Sequence, residues 1–256
     1  MKLFDTHAHL LDSQFELDRN QLIDALAGAN VAGFVEACVE ADDIPKIQGL
    51  TLLYDFVFGS VGIHPHSAST ADNTNLLRVE RALEQKKIVA IGEIGLDYHY
   101  DFSPREAQRE AFANQLDLAV QTKKPVIIHD REAHGDVMAM LSARRGRLSG
   151  VLHCYSGSYE DALRYIDMGF YIAFGGALTF KNASKQRAIA EKLPLERIVI
   201  ETDCPYMTPE PLRGERNSPL NLHLTLETLA RIRGVTVAEA AEETYQNAMQ
   251  LFGISL

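Results

Sequence analysis

Eight short apolar runs rich in β-branched residues recur along the chain, separated by longer stretches that carry helix signals. The runs are Leu3–Ala8, Gly33–Val39, Val57–Ile63, Ile88–Ile94, Val126–Asp130, Gly150–Tyr155, Phe170–Gly175 and Ile198–Thr202. Their interiors are nearly continuous rather than alternating, as in parallel strands covered on both faces. In one interval, Ser103-Pro104-Arg105-Glu106 offers a serine N-cap, a proline at the first helical position and a glutamate three residues after the cap. Ser158 opens another helical stretch, which Gly169 is placed to stop. Two more helical patterns follow the last strand. One covers Leu222–Arg233, and the other opens with the capping box Thr236-Val237-Ala238-Glu239.

Alternating strands and helices leave a closed barrel or an open doubly wound sheet. No G-x-G-x-x-G follows the first strand, which removes support for the dinucleotide-binding form of the open sheet. The 256 residues suit one (β/α)8 barrel, and no Pro/Gly/Ser-rich linker divides them. The expectation is an α/β chain forming a single TIM barrel over residues 1–256, with additional C-terminal helices. The irregular stretch Pro205–Pro219 follows the eighth strand, where a barrel places an active-site loop.

Ligand-type residues gather where the apolar runs stop. The first run contains Asp5-Thr6-His7-Ala8-His9, and residues two apart on a strand face the same way. The fourth carries Glu93, the fifth ends at His129, the sixth at His153, and the eighth runs into Asp203. A lone histidine at a strand end is more often a hydrogen-bonded loop residue than a ligand. Six such residues at the same end of five strands instead point to a shared divalent-metal centre, because burying them without partners is costly. Asp203 is the candidate general base, with Asp5 and Thr202 placed to orient ligands. His64, after the third run, is a candidate proton shuttle or phosphate contact. His66, His99, His134 and His223 read as loop or surface residues, and Cys154 as packing in the helix layer. In the last loop, Arg213 and Arg216 are candidate phosphate clamps and Asn217 a brace, against the alternative of a solvated turn.

The net charge is −10, so no global basic field gathers nucleic acid; bound cations or local arginines must supply any attraction. Three widely spaced cysteines without C-x-x-C fit a reducing compartment, and a cytoplasmic location is expected. No apolar run approaches the roughly 20 residues of a membrane span.

Together the motifs resemble the TatD family of metal-dependent hydrolases, within the amidohydrolase-like TIM barrels. The matching stretches run from D-T-H-A-H at Asp5 through G-I-H-P-H, G-E-I-G-L-D-Y, I-I-H, H-C-Y-S-G, E-T-D-C-P-Y and R-G-E-R-N-S-P to N-A-M-Q-L-F, which ends at Phe252. The resemblance implies a deoxyribonuclease, a 3′-to-5′ exonuclease on single strands, that needs two divalent ions (Mg²⁺, Mn²⁺ or Zn²⁺). It implies one ion on His7, His9 and Asp203, a second on His129 and His153, and Glu93 between them. Glu93 stands where related barrels carry a carboxylated lysine. Ser218 replaces the glutamate of the family's usual R-N-E-P, so no role carries over from that position. Two rivals remain from the sequence: an ester or amide hydrolase such as a D-aminoacyl-tRNA deacylase, and a catalytically weak binding or quality-control partner.

Overall fold

In the computed structural model, which describes residues 1–256, the eight apolar runs form one sheet whose spatial order follows chain order. The strands are β1 (Leu3–Ala8), β2 (Val31–Glu36), β3 (Val57–Val61), β4 (Ile88–Asp97), β5 (Val126–Arg131), β6 (Gly150–Leu152), β7 (Phe170–Phe174) and β8 (Ile198–Ile200). Each is parallel to the next. Across the seam, the Asp203 N–H donates to the His7 carbonyl and the His9 N–H to the Cys204 carbonyl, both at 2.9 Å. These bonds bring the first and last strands together as a TIM barrel.

The intervening helices are α1 (Arg19–Leu26), α2 (Ile44–Leu53), α3 (Asn73–Ala82), α4 (Arg105–Thr122), α5 (His134–Ser142), α6 (Tyr159–Asp167) and α7 (Ser184–Lys192), followed by α8 (Leu222–Arg233) and α9 (Val237–Phe252). Their apolar faces cover the outward residues of the strands, as where Tyr165 packs with Phe170. A second cluster fills the barrel's N-terminal end. Phe4, Val35, Phe58, Val89 and Val151 meet Tyr245, Met249 and Phe252 of α9 there. α9 thus plugs one end of the barrel, opposite the C-terminal mouth. No helix is long and apolar enough to cross a membrane.

Several boundaries differ from those expected. β2 starts at Val31, so Gly33 lies inside it, and it ends at Glu36. Residues 37–39 leave the ladder but keep strand-like bonds: Ala37 N–H to the Ala8 carbonyl, and the Cys38 and Val39 carbonyls to the N–H groups of Glu93 and His64. β6 and β8 are three residues each, because the polar residues after them turn toward the mouth. Ser103 does not cap α4; its hydroxyl donates to the His66 carbonyl and accepts from the Ser69 N–H, tying down the loop after β3. Ser158 does cap α6, and the Thr236–Glu239 box on α9 is formed in both directions.

Candidate metal centre

His7 and His9 both turn toward the barrel axis, with their Nε2 atoms 3.0 Å apart. His9 Nδ1 faces the Ala37 carbonyl at 3.2 Å, so Nδ1 carries the proton and the Nε2 lone pair points inward. Behind this strand, Asp5 is fully buried and accepts the Thr202 hydroxyl at 2.5 Å, the Thr202 N–H at 2.9 Å and the His7 N–H at 3.3 Å. It therefore locks the β1 and β8 ends in register. Glu36 does the same one strand over, accepting the N–H groups of Leu10 and Leu11 at 2.9 and 2.8 Å.

Glu93 occupies the middle of the mouth. Its Oε2 lies 3.3 Å from His7 Nε2 and 3.6 Å from His9 Nε2, and Asp203 Oδ1 stands 3.8 and 3.7 Å from the same two nitrogens. Its Oε1 lies 2.6 Å from His129 Nδ1, 3.1 Å from His153 Nε2 and 3.4 Å from His64 Nε2. One carboxylate thus separates two sets of donor atoms. His153 also reaches toward the first set, its ring stacked 4.1 Å from that of His7.

This donor set fits divalent metal. Imidazole nitrogens and carboxylate oxygens converge within 4.8 Å of one another in three overlapping groups, and no lysine or arginine pairs with Glu93 or Asp203. The rings are also backed as metal-bound histidines are, with an acceptor behind the ring. Ala37 backs His9; Asp97 lies 3.2 Å from His129 Nε2; Glu201 lies 3.4 Å from His153 Nδ1, close enough for an ion pair though not aligned for a hydrogen bond. Glu201 Oε2 and His7 Nδ1 are buried without partners.

The local fields follow from this crowding. Burial opposes ionisation of Glu93, but His153, His64 and His7 outweigh it and hold the carboxyl well below its usual range. Burial pushes Asp203 up to about 6, and lowers His9 to about 3 and His64 to about 4. His153 goes the other way: burial disfavours its charge, yet the Glu93 and Glu201 carboxylates raise it well above the ordinary histidine value. His129 is likewise raised against burial by its hydrogen bonds to Asp97 and Glu93.

The remaining candidates divide between those with partners of their own and those that support the loop. Arg216 is committed to Asp18 and the Gln14 carbonyl, with its guanidinium over the Phe15 ring. Arg213 lies over Phe180 and donates to the Thr208 carbonyl. None of their polar contacts reaches the cluster. Asn217 is a buried brace, donating to the Thr202 and Tyr206 carbonyls and accepting from the Ser218 N–H. Cys154 is not helix-layer packing. The ladder ends at Leu152, so strand alternation no longer applies; Cys154 has φ 44° and its thiol, raised by burial to about 12, feels the Asp203 carboxylate. His66 lies in the loop after β3, as expected, but is half-buried there, its Nε2 donating to Asp97 Oδ2 at 2.8 Å. Asp97 and Glu201 were missed. The only signal for them was a carboxylate at the end of an apolar strand.

Comparison with known proteins settles the lineage. The sequence profile described as TatD related DNase matches residues 4–253. The chain belongs to the TatD family. It is 39% identical over 254 residues to YabD of Bacillus subtilis, described as an uncharacterised metal-dependent hydrolase, covering 99% of this chain and all of that one. It is 36% identical over 263 residues to the 3′-5′ ssDNA/RNA exonuclease TatD of Pantoea ananatis, covering 98% of this chain and all of that one. Among solved structures, the TatD homologue YJJV of Escherichia coli K12 superposes with a TM-score of 0.93 at 31% identity, covering 99% of this chain and 98% of that one. Family membership makes the chain a metal-dependent hydrolase.

Proposed function

We propose that this TatD-family chain hydrolyses phosphodiester bonds of single-stranded nucleic acid, working from the 3′ end, with two divalent ions at the barrel mouth. One observation supports this most: Glu93 presents one oxygen to His7 and His9 and the other to His129 and His153. Relatives named as exonucleases on ssDNA and RNA point to the same substrate class. In this proposal His7, His9 and Asp203 hold one ion, His129 and His153 the other, and Glu93 lies between. Mixed nitrogen and oxygen donors suit Zn²⁺, Mn²⁺ or Mg²⁺. Such ions, when bound, supply a Lewis acid for the phosphoryl oxygens and lower the pKa of water.

The protein's own groups carry the proton work. Asp203 is the more exposed of the two central carboxylates, at 15% against 4% for Glu93. Ionised, its carboxylate is placed to accept a proton from an attacking water. His64 Nδ1 accepts the His66 N–H at 3.1 Å, so its proton sits on Nε2 and faces the mouth as a donor to a phosphate or leaving oxygen. Asp5 and Asn217 hold the Asp203 loop from below.

The deciding experiment assays the purified protein on end-labelled single-stranded DNA and on D-aminoacyl-tRNA in parallel, with chelator and after metal is restored. Stepwise 3′ shortening of DNA that stops with chelator and returns with Mn²⁺ is expected, and Asp203→Asn should slow it about 10²- to 10⁴-fold. Deacylation without DNA cleavage, or chelator-resistant cleavage, would overturn the proposal.

A further inference from the structure

Beside the candidate metal centre lies an exposed aromatic pair that the hydrolytic machinery does not use. Tyr100 and Phe102, in the turn after β4, are 47% and 68% exposed. Their rings stack with centroids 5.2 Å apart and planes 23° from parallel. The His66 ring stands edge-on to both, at 5.5 and 4.7 Å, and meets the His64 ring at 4.4 Å on its other side. A single imidazole therefore separates the aromatic pair from the Glu93 cluster. The turn is anchored to the same carboxylate that backs His129: Asp97 Oδ1 accepts the N–H groups of His99 and Tyr100 at 3.0 and 2.8 Å, while Oδ2 meets His66 and His129.

A cation completes the surface. Arg131 closes β5 two residues after His129, and its guanidinium lies 4.7 Å over the Tyr100 ring. Nearby Arg105 and Arg109 are paired with Asp101 and Asp136, whereas Arg131 makes no ion pair. In a chain of net charge −10, this free guanidinium is a local source of attraction for phosphate. Because the Tyr100 ring is already in contact with Phe102 and Arg131, the more exposed Phe102 ring is the face open to a base; an exposed ring beside an unpaired guanidinium is the combination that binds single strands, the base stacking on the ring and the backbone meeting the cation.

We infer that Tyr100, Phe102 and Arg131 form a stacking platform for a nucleobase flanking the scissile phosphate. The inference rests on the phosphodiesterase proposal for its substrate class. Because duplex bases are already stacked, the platform also favours single strands over duplexes.

The test compares a phosphorothioate single strand, which resists hydrolysis, with the same strand made abasic near its 3′ end. Affinities are read by fluorescence anisotropy with metal present, and cleavage is followed in parallel on ordinary phosphodiester versions. For Tyr100→Ala/Phe102→Ala, Kd for the base-bearing strand should rise about tenfold more than Kd for the abasic strand. Tyr100→Ala/Phe102→Trp, which keeps a ring at 102, should recover most of that loss and shows that the effect is not unfolding. Equal losses on both strands, or none, would overturn the platform. A base-selective loss of binding with no cleavage of either strand by the wild-type protein supports the platform and sinks the phosphodiesterase proposal instead.

Discussion

At the scale of single residues, the sequence marks which side chains can bind metal better than which ones support them. His7, His9, Glu93, His129, His153 and Asp203 stand out as candidates because each is a polar residue within or directly after an apolar run. Glu201 follows the same rule, but Asp203 two residues later overshadows it. In the structure Glu201 is fully buried, accepts the Cys154 N–H at 2.5 Å and faces His153. Its charge sets the basicity and orientation of that ring. Glu201→Gln keeps an oxygen for the Cys154 N–H and removes the charge, so metal affinity should fall about 10- to 100-fold with little change in melting temperature. Calorimetric metal titration beside a thermal melt checks this, and unchanged affinity would leave Glu201 a purely structural acceptor. The arginines of the last loop have partners that the sequence does not announce. Nothing local reveals that Asp18, distant in sequence, captures Arg216, or that Phe180 lies under Arg213.

At the scale of elements, caps with short-range partners are legible and long-range bonds are not. Thr236 and Glu239 satisfy each other within one turn, as do Ser158 and the Asp161 N–H. Ser103 had the same local pattern, but the carbonyl of His66 takes its hydroxyl. Gly95 illustrates the other kind of hidden constraint. Its φ is +150°, and a Cβ there would lie 1.9 Å from the His129 carbonyl oxygen, so only glycine lets β4 press against the strand that presents His129. The location of α9 was equally invisible, since its amphipathic pattern does not say which surface it covers. Because α9 plugs the end opposite the candidate metal centre, its packing supports the barrel without touching that cluster. Phe252→Ala, which empties the space beside Phe4, should cost about 3–5 kcal/mol of stability. Activity per folded molecule should be retained well below the melting temperature. Denaturant unfolding with activity assays checks both, and selective loss of activity would mean that the plug couples to the mouth.

At the scale of the whole molecule, the barrel sets many buried ionisable groups around one point, and their protons must leave for a cation to enter. His153 and His129 hold protons more tightly than ordinary histidines because anionic carboxylates face them, and the Asp203 carboxyl sits near 6. Protonated imidazole cannot ligate, so lowering the pH fills the sites with protons and weakens metal binding; raising it has the opposite effect. The eight-strand alternation made this architecture readable from the sequence, and strand-end polarity marked the mouth as its candidate active face. The division of ligand atoms by Glu93 needed three-dimensional geometry, because it depends on which oxygen faces which strand. Calorimetric titration of Mn²⁺ into chelator-stripped protein at pH 8 and pH 6 tests that division most directly. Two equivalents per chain are expected at pH 8, with affinity at least about tenfold weaker at pH 6, proton release on binding, and loss of both sites in Glu93→Gln. Binding that is absent, indifferent to pH, or undiminished by Glu93→Gln would contradict the proposed centre.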